Sequence, residues 1–219
     1  MSTITMLLSV IVVLLIIVIT MFVVLIDYGN LPNFPTTFFS PIGTITSTQG
    51  NPVQIQDAIA NTGNLTSGAR VNAQNNTITL LSTSVSLTVF MASAQGAEQM
   101  AMQRQSNISP DVFVIGGLIN PTIIVRTGTT LHLTEINLDQ LSPHNIMIVG
   151  QAPPYPYMPA VEPGNLKLTE PFLLPANYQS GTGGEFTSTT TFGSPGTFYY
   201  LSSYPNQAEL GMYGTIIVR

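Results

Sequence analysis

From Thr77 to the C-terminus the sequence is written in short runs of β-branched and apolar residues, TITLL, SVSLTVFM, PTIIVRTG, TTLHLTEINL, HNIMIVG, GTFYYLSSY and YGTIIVR. Strand side chains alternate faces with a period of two, so runs of this length bounded by turn residues specify half-buried strands. Several of them in succession specify a sandwich or a barrel. Helix-forming composition is confined to ASAQGAEQMAMQRQS, residues 92 to 106. Its Met100 and Met102 are assigned to packing rather than to soft-metal binding, because a flexible thioether most often fills a core gap.

The other end of the chain obeys a different rule. Residues Ile4 to Ile26, ITMLLSVIVVLLIIVITMFVVLI, carry no charge. A helix of that length rises about 35 Å, enough for a hydrocarbon core of about 30 Å. The run lacks the basic start and small-residue cleavage site of a signal peptide, so 4–26 is expected to be an uncleaved, single-pass membrane anchor. No Lys or Arg near either end sets its orientation. The short leading tail and sequons starting at Asn64, Asn75 and Asn107, together with the family resemblance given below, lead to the expectation that the following domain is on the extracellular side. Residues 27–76, rich in Pro, Thr and Asn, are expected to form a stalk, with only VQIQDAIA hinting at a helical turn.

Composition removes several functions. Charged residues are 7% of the chain, net charge is −5, and no basic stripe exists to neutralise phosphates, which excludes a nucleic-acid partner. The polar surface must instead be Ser, Thr, Asn and Gln. The absence of cysteine excludes disulfides, thiolate-held clusters and any copper thiolate.

Two segments carry a resemblance. FVIGGLINPTIIVRTGTTLHLTEINLDQLSPHNIMIV, residues 113 to 149, and SPGTFYYLSSYPNQAELGMYGTIIV, residues 194 to 218, resemble the cupredoxins, and most closely the sulfocyanins, membrane-anchored blue-copper proteins of acidophilic archaea. The resemblance covers about 77–219 and implies an all-β, cupredoxin-like antiparallel Greek-key β-sandwich. It also implies a ligand set: His144 after a proline, then three positions spaced as Cys-x4-His-x4-Met. In this chain those three are Ser202, Gln207 and Met212, so two of the four ligands are replaced while the surrounding Pro195, Gly196, Pro205, Ala208, Glu209, Gly211 and Gly214 remain.

The replacements decide the chemistry. A type 1 site needs a soft thiolate and two imidazoles in trigonal geometry with a weak thioether. Ser202 offers a hard neutral hydroxyl and Gln207 an amide, leaving His144 and Met212 as weak metal candidates. No cofactor is expected. With Asp139 five residues before it, His144 is expected to join Ser202 and Gln207 in a small hydrogen-bonded cluster. A hydrolytic reading of Ser202, His144 and Asp139 is set aside, because YLSSY is not a nucleophile elbow and no oxyanion-hole motif accompanies it. The chain is therefore not expected to be an enzyme or to take a small-molecule substrate. His132, alternating with Leu131, Leu133 and Glu135, reads as a surface or intersheet histidine.

In cupredoxins the hairpin end near the metal is where redox partners dock, so Tyr204, Pro205, Met212 and Tyr213 are the candidate docking surface. The resulting expectation is a membrane-anchored, extracellular cupredoxin-like protein without its copper site. Its role would be that of a non-catalytic structural or docking subunit of a membrane complex, with oxidase-type respiratory complexes the leading candidates. The alternatives are a sulfocyanin-like electron carrier that keeps copper in a modified site, and a cell-envelope adhesion or structural protein.

Overall fold

The structure, a computed structural model, describes residues 47–63, 65, 68–100 and 109–219. All lie within one compact unit, Ile42–Arg219. The expected anchor at 4–26, the sequons at Asn64 and Asn107, and Met102 fall outside the described residues. Among the described residues no helix is long and apolar enough to cross a membrane.

The strands in chain order are β1 (Ser47–Thr48), β2 (Asn51–Gln54), β3 (Ala69–Asn72), β4 (Thr77–Leu80), β5 (Ser84–Ser93), β6 (Asp111–Ile115), β7 (Leu118–Ile119), β8 (Thr122–Val125), β9 (Thr129–Asn137), β10 (Met147–Val149), β11 (Leu166–Thr169), β12 (Phe172–Leu173), β13 (Thr182–Phe192), β14 (Gly196–Leu201) and β15 (Tyr213–Val218). Two short helices, α1 (Ile55–Ala60) and α2 (Ala94–Met100), interrupt them. A seven-stranded sheet runs β11-β10-β14-β15-β8-β4-β3 and a six-stranded sheet β2-β13-β9-β5-β6-β7.

The sheets are mixed rather than purely antiparallel. β4 and β15 both pair parallel with β8, β5 pairs parallel with β9, and β1 pairs parallel with β12. The cause is connectivity. The chain passes from β4 in one sheet to β5 in the other, and from β8 to β9 in the same way, so the parallel neighbours β4–β8 and β5–β9 are joined by crossovers and not by hairpins.

The main core lies between the sheets. Ile78, Ile123, Tyr200, Ile216 and Val218 from the seven-stranded sheet meet Val85, Leu87, Phe113, Leu131, Leu133 and Phe192 from the six-stranded one. In β5 the alternation of buried Val85 and Leu87 with exposed Ser84 and Ser86 gives way, from Val89, to continuous burial. The reason is a second cluster on the outer face, where Ile55 and Ala58 of α1 and Ala97 and Met100 of α2 cover Phe90, Ala92, Val112, Val114 and Ile136. Met100 is thus a packing residue, as its sequence implied. Gly214 is required where it stands: a Cβ there would overlap the ring of Tyr200, whose hydroxyl donates to Pro121 O at 2.7 Å.

The stalk expected over 27–76 does not extend to residue 76. β2 pairs antiparallel with β13, and β3 with β4, so residues 51–54 and 69–72 are edge strands of the two sheets. β2 pairs with β13 at Gly183 and Gly184, and a Cβ at Gly184 would overlap the carbonyl of Gln49 in the segment leading into β2.

Candidate functional site

His144 is placed by its backbone. Its N–H donates to Leu173 O at 3.1 Å and its carbonyl accepts from Leu173 N at 2.8 Å, pinning the loop after β9 to β12. Asn137, fully buried, holds the same loop: its amide nitrogen donates to Ser142 O, Leu173 O and Leu174 O, and its Oδ1 accepts from the Asp139 N–H. Ser202 follows β14 and Met212 precedes β15, with Ser202 N–H donating to Met212 O at 3.3 Å. Gln207 lies in the connecting turn, where its carbonyl accepts from Met212 N at 2.9 Å.

The fold brings all four expected positions together, and hydrogen bonds close the space between them. Gln207 Oε1 accepts from Ser202 Oγ at 2.6 Å and from His144 Nδ1 at 2.8 Å. Gln207 Nε2 donates to Pro143 O at 3.3 Å, which fixes which end of the amide faces the histidine. His144 Nδ1 therefore carries a hydrogen and donates to Gln207. Ser202, His144 and Met212 are each fully buried and Gln207 is 5% exposed.

The other imidazole nitrogen, Nε2, faces Asp139 Oδ2 at 3.4 Å and has no hydrogen-bond partner. The two atoms stand within charge-pairing distance without forming a hydrogen bond. Burial pushes the Asp139 carboxyl up, yet the His144 imidazole and the N–H groups of Leu141 and Ser142 outweigh it and hold the group below its ordinary value. Asp111 behaves oppositely: burial, together with the neighbouring Asp139, raises it despite the attraction of His144.

One expectation reads differently in three dimensions. Met212 is fully buried, so it cannot form part of a docking surface; it packs in the intersheet core. Tyr204, Pro205 and Tyr213 remain half-buried, with Tyr204 edge-on to Phe172 and Tyr213 edge-on to Tyr155. Ser202 donates to Gln207 rather than to the imidazole, so Ser202, His144 and Asp139 do not form a nucleophilic triad. His132 is exposed between Ser84 and Thr189, as alternation implied.

Residues the sequence did not single out complete the site. Asn145, next to the histidine and fully buried, accepts from Ser203 N–H at 2.9 Å and Ser203 Oγ at 3.1 Å and donates to Glu170 O at 2.9 Å. Beyond it Glu135 is wholly buried, with Oε1 accepting from Ser188 Oγ at 3.3 Å and Oε2 unpartnered. Burial first, and the nearby Glu170 second, push the Glu135 carboxyl well above the usual range.

A type 1 copper does not fit these residues. The set offers one imidazole, a thioether, a hydroxyl and an amide oxygen, with no thiolate. The two replaced positions are moreover bonded to each other, and Gln207 also occupies the histidine nitrogen on that side.

The fold is a cupredoxin-like all-β sandwich of two sheets. No family model matches the chain. It is 33% identical over 100 residues to rusticyanin of Acidithiobacillus ferridurans, covering 46% of this chain and 51% of the relative. It is 34% identical over 100 residues to a rusticyanin of Acidithiobacillus ferrooxidans, covering 46% and 61%. The chain thus spans about half the length of the first of these relatives. Among solved structures, rusticyanin from Thiobacillus ferrooxidans superposes with a TM-score of 0.63 at 23% identity, over 80% of this chain and 100% of that one. Reduced rusticyanin gives 0.61 at 22%, over 77% and 99%.

Proposed function

We propose that this protein is a cupredoxin whose type 1 site has been replaced by hydrogen bonds, acting as a non-catalytic docking subunit of a membrane complex. In this reading the uncharged run 4–26 anchors it, the sandwich stands on the extracellular side, and Tyr204, Pro205 and Tyr213 are the aromatic end offered to a partner. The observation that carries it is the single oxygen Gln207 Oε1, which accepts from both Ser202 and His144. That arrangement satisfies the pocket without metal, and recognition by buried aromatic anchors does not depend on copper. The loop spacing is that of the sulfocyanins, and an oxidase-type respiratory complex is the partner class that suits a single-span anchor carrying such a domain. The latter rests on architecture alone.

The test is purification from the native membrane under mild detergent, with metal content and co-purifying subunits read from one sample. Fixed-ratio membrane subunits without copper support the proposal. A free monomer without partners overturns the docking role. A second reading is favoured by the similarity to rusticyanins and by the retained His144 and Met212: an electron carrier with copper in a modified site. Stoichiometric copper with a reversible potential selects it.

A further inference from the structure

One atom of the site is left over. His144 Nε2 is fully buried, has no hydrogen-bond partner, and points at the carboxylate of Asp139. Asp111, at the start of β6, adds a second carboxylate, and one ligand atom from each of Asp111, Asp139 and His144 lies within 4.8 Å of the other two.

We propose that Asp111, Asp139 and His144 bind a divalent cation of the zinc type, on the opposite side of the imidazole from the former copper pocket. Zinc bonds to His nitrogen and carboxylate oxygen are about 2.0–2.2 Å long, so neighbouring ligands in a tetrahedron stand roughly 3.3–3.5 Å apart. The Nε2 to Oδ2 separation of 3.4 Å already has that value. The pair makes no hydrogen bond, and its separation is that of two ligands of a common ion.

The supporting contacts are those a metal-bound histidine needs. Nδ1–H donates to Gln207 Oε1, which fixes the tautomer that leaves Nε2 free to coordinate. Asp139 Oδ1 is occupied by the N–H groups of Leu141 at 2.6 Å and Ser142 at 3.2 Å, which orients Oδ2 toward the histidine. Asp111 is half-buried, giving the cation an approach and leaving a position for water. Two carboxylates balance the ion's charge, and a donor set of one nitrogen and two oxygens without sulfur suits Zn²⁺ rather than Cu⁺. Gln207 thereby has two roles: it closes the copper pocket and aims the imidazole the other way. The inference does not depend on the docking role.

The experiment uses the full chain in detergent, stripped with a chelator and titrated with ZnCl₂ by calorimetry, with Co²⁺ as a spectroscopic probe. One saturable Zn²⁺ per chain is expected, together with visible ligand-field bands on adding Co²⁺. Asp111→Asn, a near-isosteric change at a half-buried strand end, is expected to weaken binding at least tenfold, and His144→Gln to abolish it, with circular dichroism reporting that both remain folded. No saturable binding to the stripped wild type would overturn the proposal and leave His144 and Asp139 as a plain ion pair. Equal affinity in wild type and Asp111→Asn would also overturn it, since the ion would then sit elsewhere.

Discussion

Truncating Gln207 to alanine tests whether hydrogen bonds have taken over the pocket. Three groups use this side chain: Ser202 Oγ and His144 Nδ1 donate to its Oε1, and Pro143 O accepts from its Nε2. A buried polar group left without a partner costs about 1–3 kcal/mol. Ser202 retains a weak alternative in Asn145 Oδ1 at 3.5 Å, so the loss falls mainly on the His144 N–H and the Pro143 carbonyl. Two such groups amount to about 3 kcal/mol. For a domain of this size that corresponds to a fall in Tm of roughly 6–12 °C. The assay is urea unfolding and thermal melting of Gln207→Ala, Ser202→Ala and the double variant. Because both residues share one bond, the double variant should be less destabilised than the sum of the singles by about 1 kcal/mol. A loss below about 1 kcal/mol for Gln207→Ala, or strict additivity with Ser202→Ala, would refute the idea that Gln207 satisfies the pocket.

Stability should fall as pH rises above 4.5, the ordinary Glu value, because burial raises the Glu135 carboxyl in the folded state. The sign follows from linkage: stability from a raised acid is fully present below the unfolded value and is lost as pH climbs through the folded one, at no more than about 1.4 kcal/mol per pH unit per carboxyl. Glu135→Gln should flatten this slope in urea midpoints measured from pH 4 to 7. Ser202→Cys with Gln207→His should restore a copper-dependent thiolate charge-transfer band in the visible, since all four ligand positions are already gathered. Gly214→Ala should cost about 3 kcal/mol or more, measured by chemical unfolding, because its Cβ would overlap the buried Tyr200 ring.

The sandwich was legible because its central strands alternate strongly, and alternation even put Glu135 on the Leu131 and Leu133 side, which proved to be the core. The cluster of Asp139, His144, Ser202 and Gln207 was legible through the resemblance to the cupredoxins, which marked His144, Ser202 and Gln207 as matching positions. What escaped were features that tertiary contact alone creates. β2 and β3 are four-residue edge strands in Gly- and Pro-rich text, and their order comes from pairing with β13 and β4 rather than from local propensity. Asn145 and Asp111 stand at the heads of apolar runs, after polar turn residues, and nothing in their local pattern says which partners the fold supplies. Met212 was expected on the docking surface because the resemblance implies docking at that hairpin end, yet its side chain reaches the intersheet core.

The central claim is that the type 1 site is gone, and the measurement that tests it most directly is copper content. Protein purified from its native membrane and washed with a chelator should retain well under one copper per chain and show no visible thiolate band. One copper per chain surviving the wash, with a reversible redox potential, would contradict the account and make electron transfer the function.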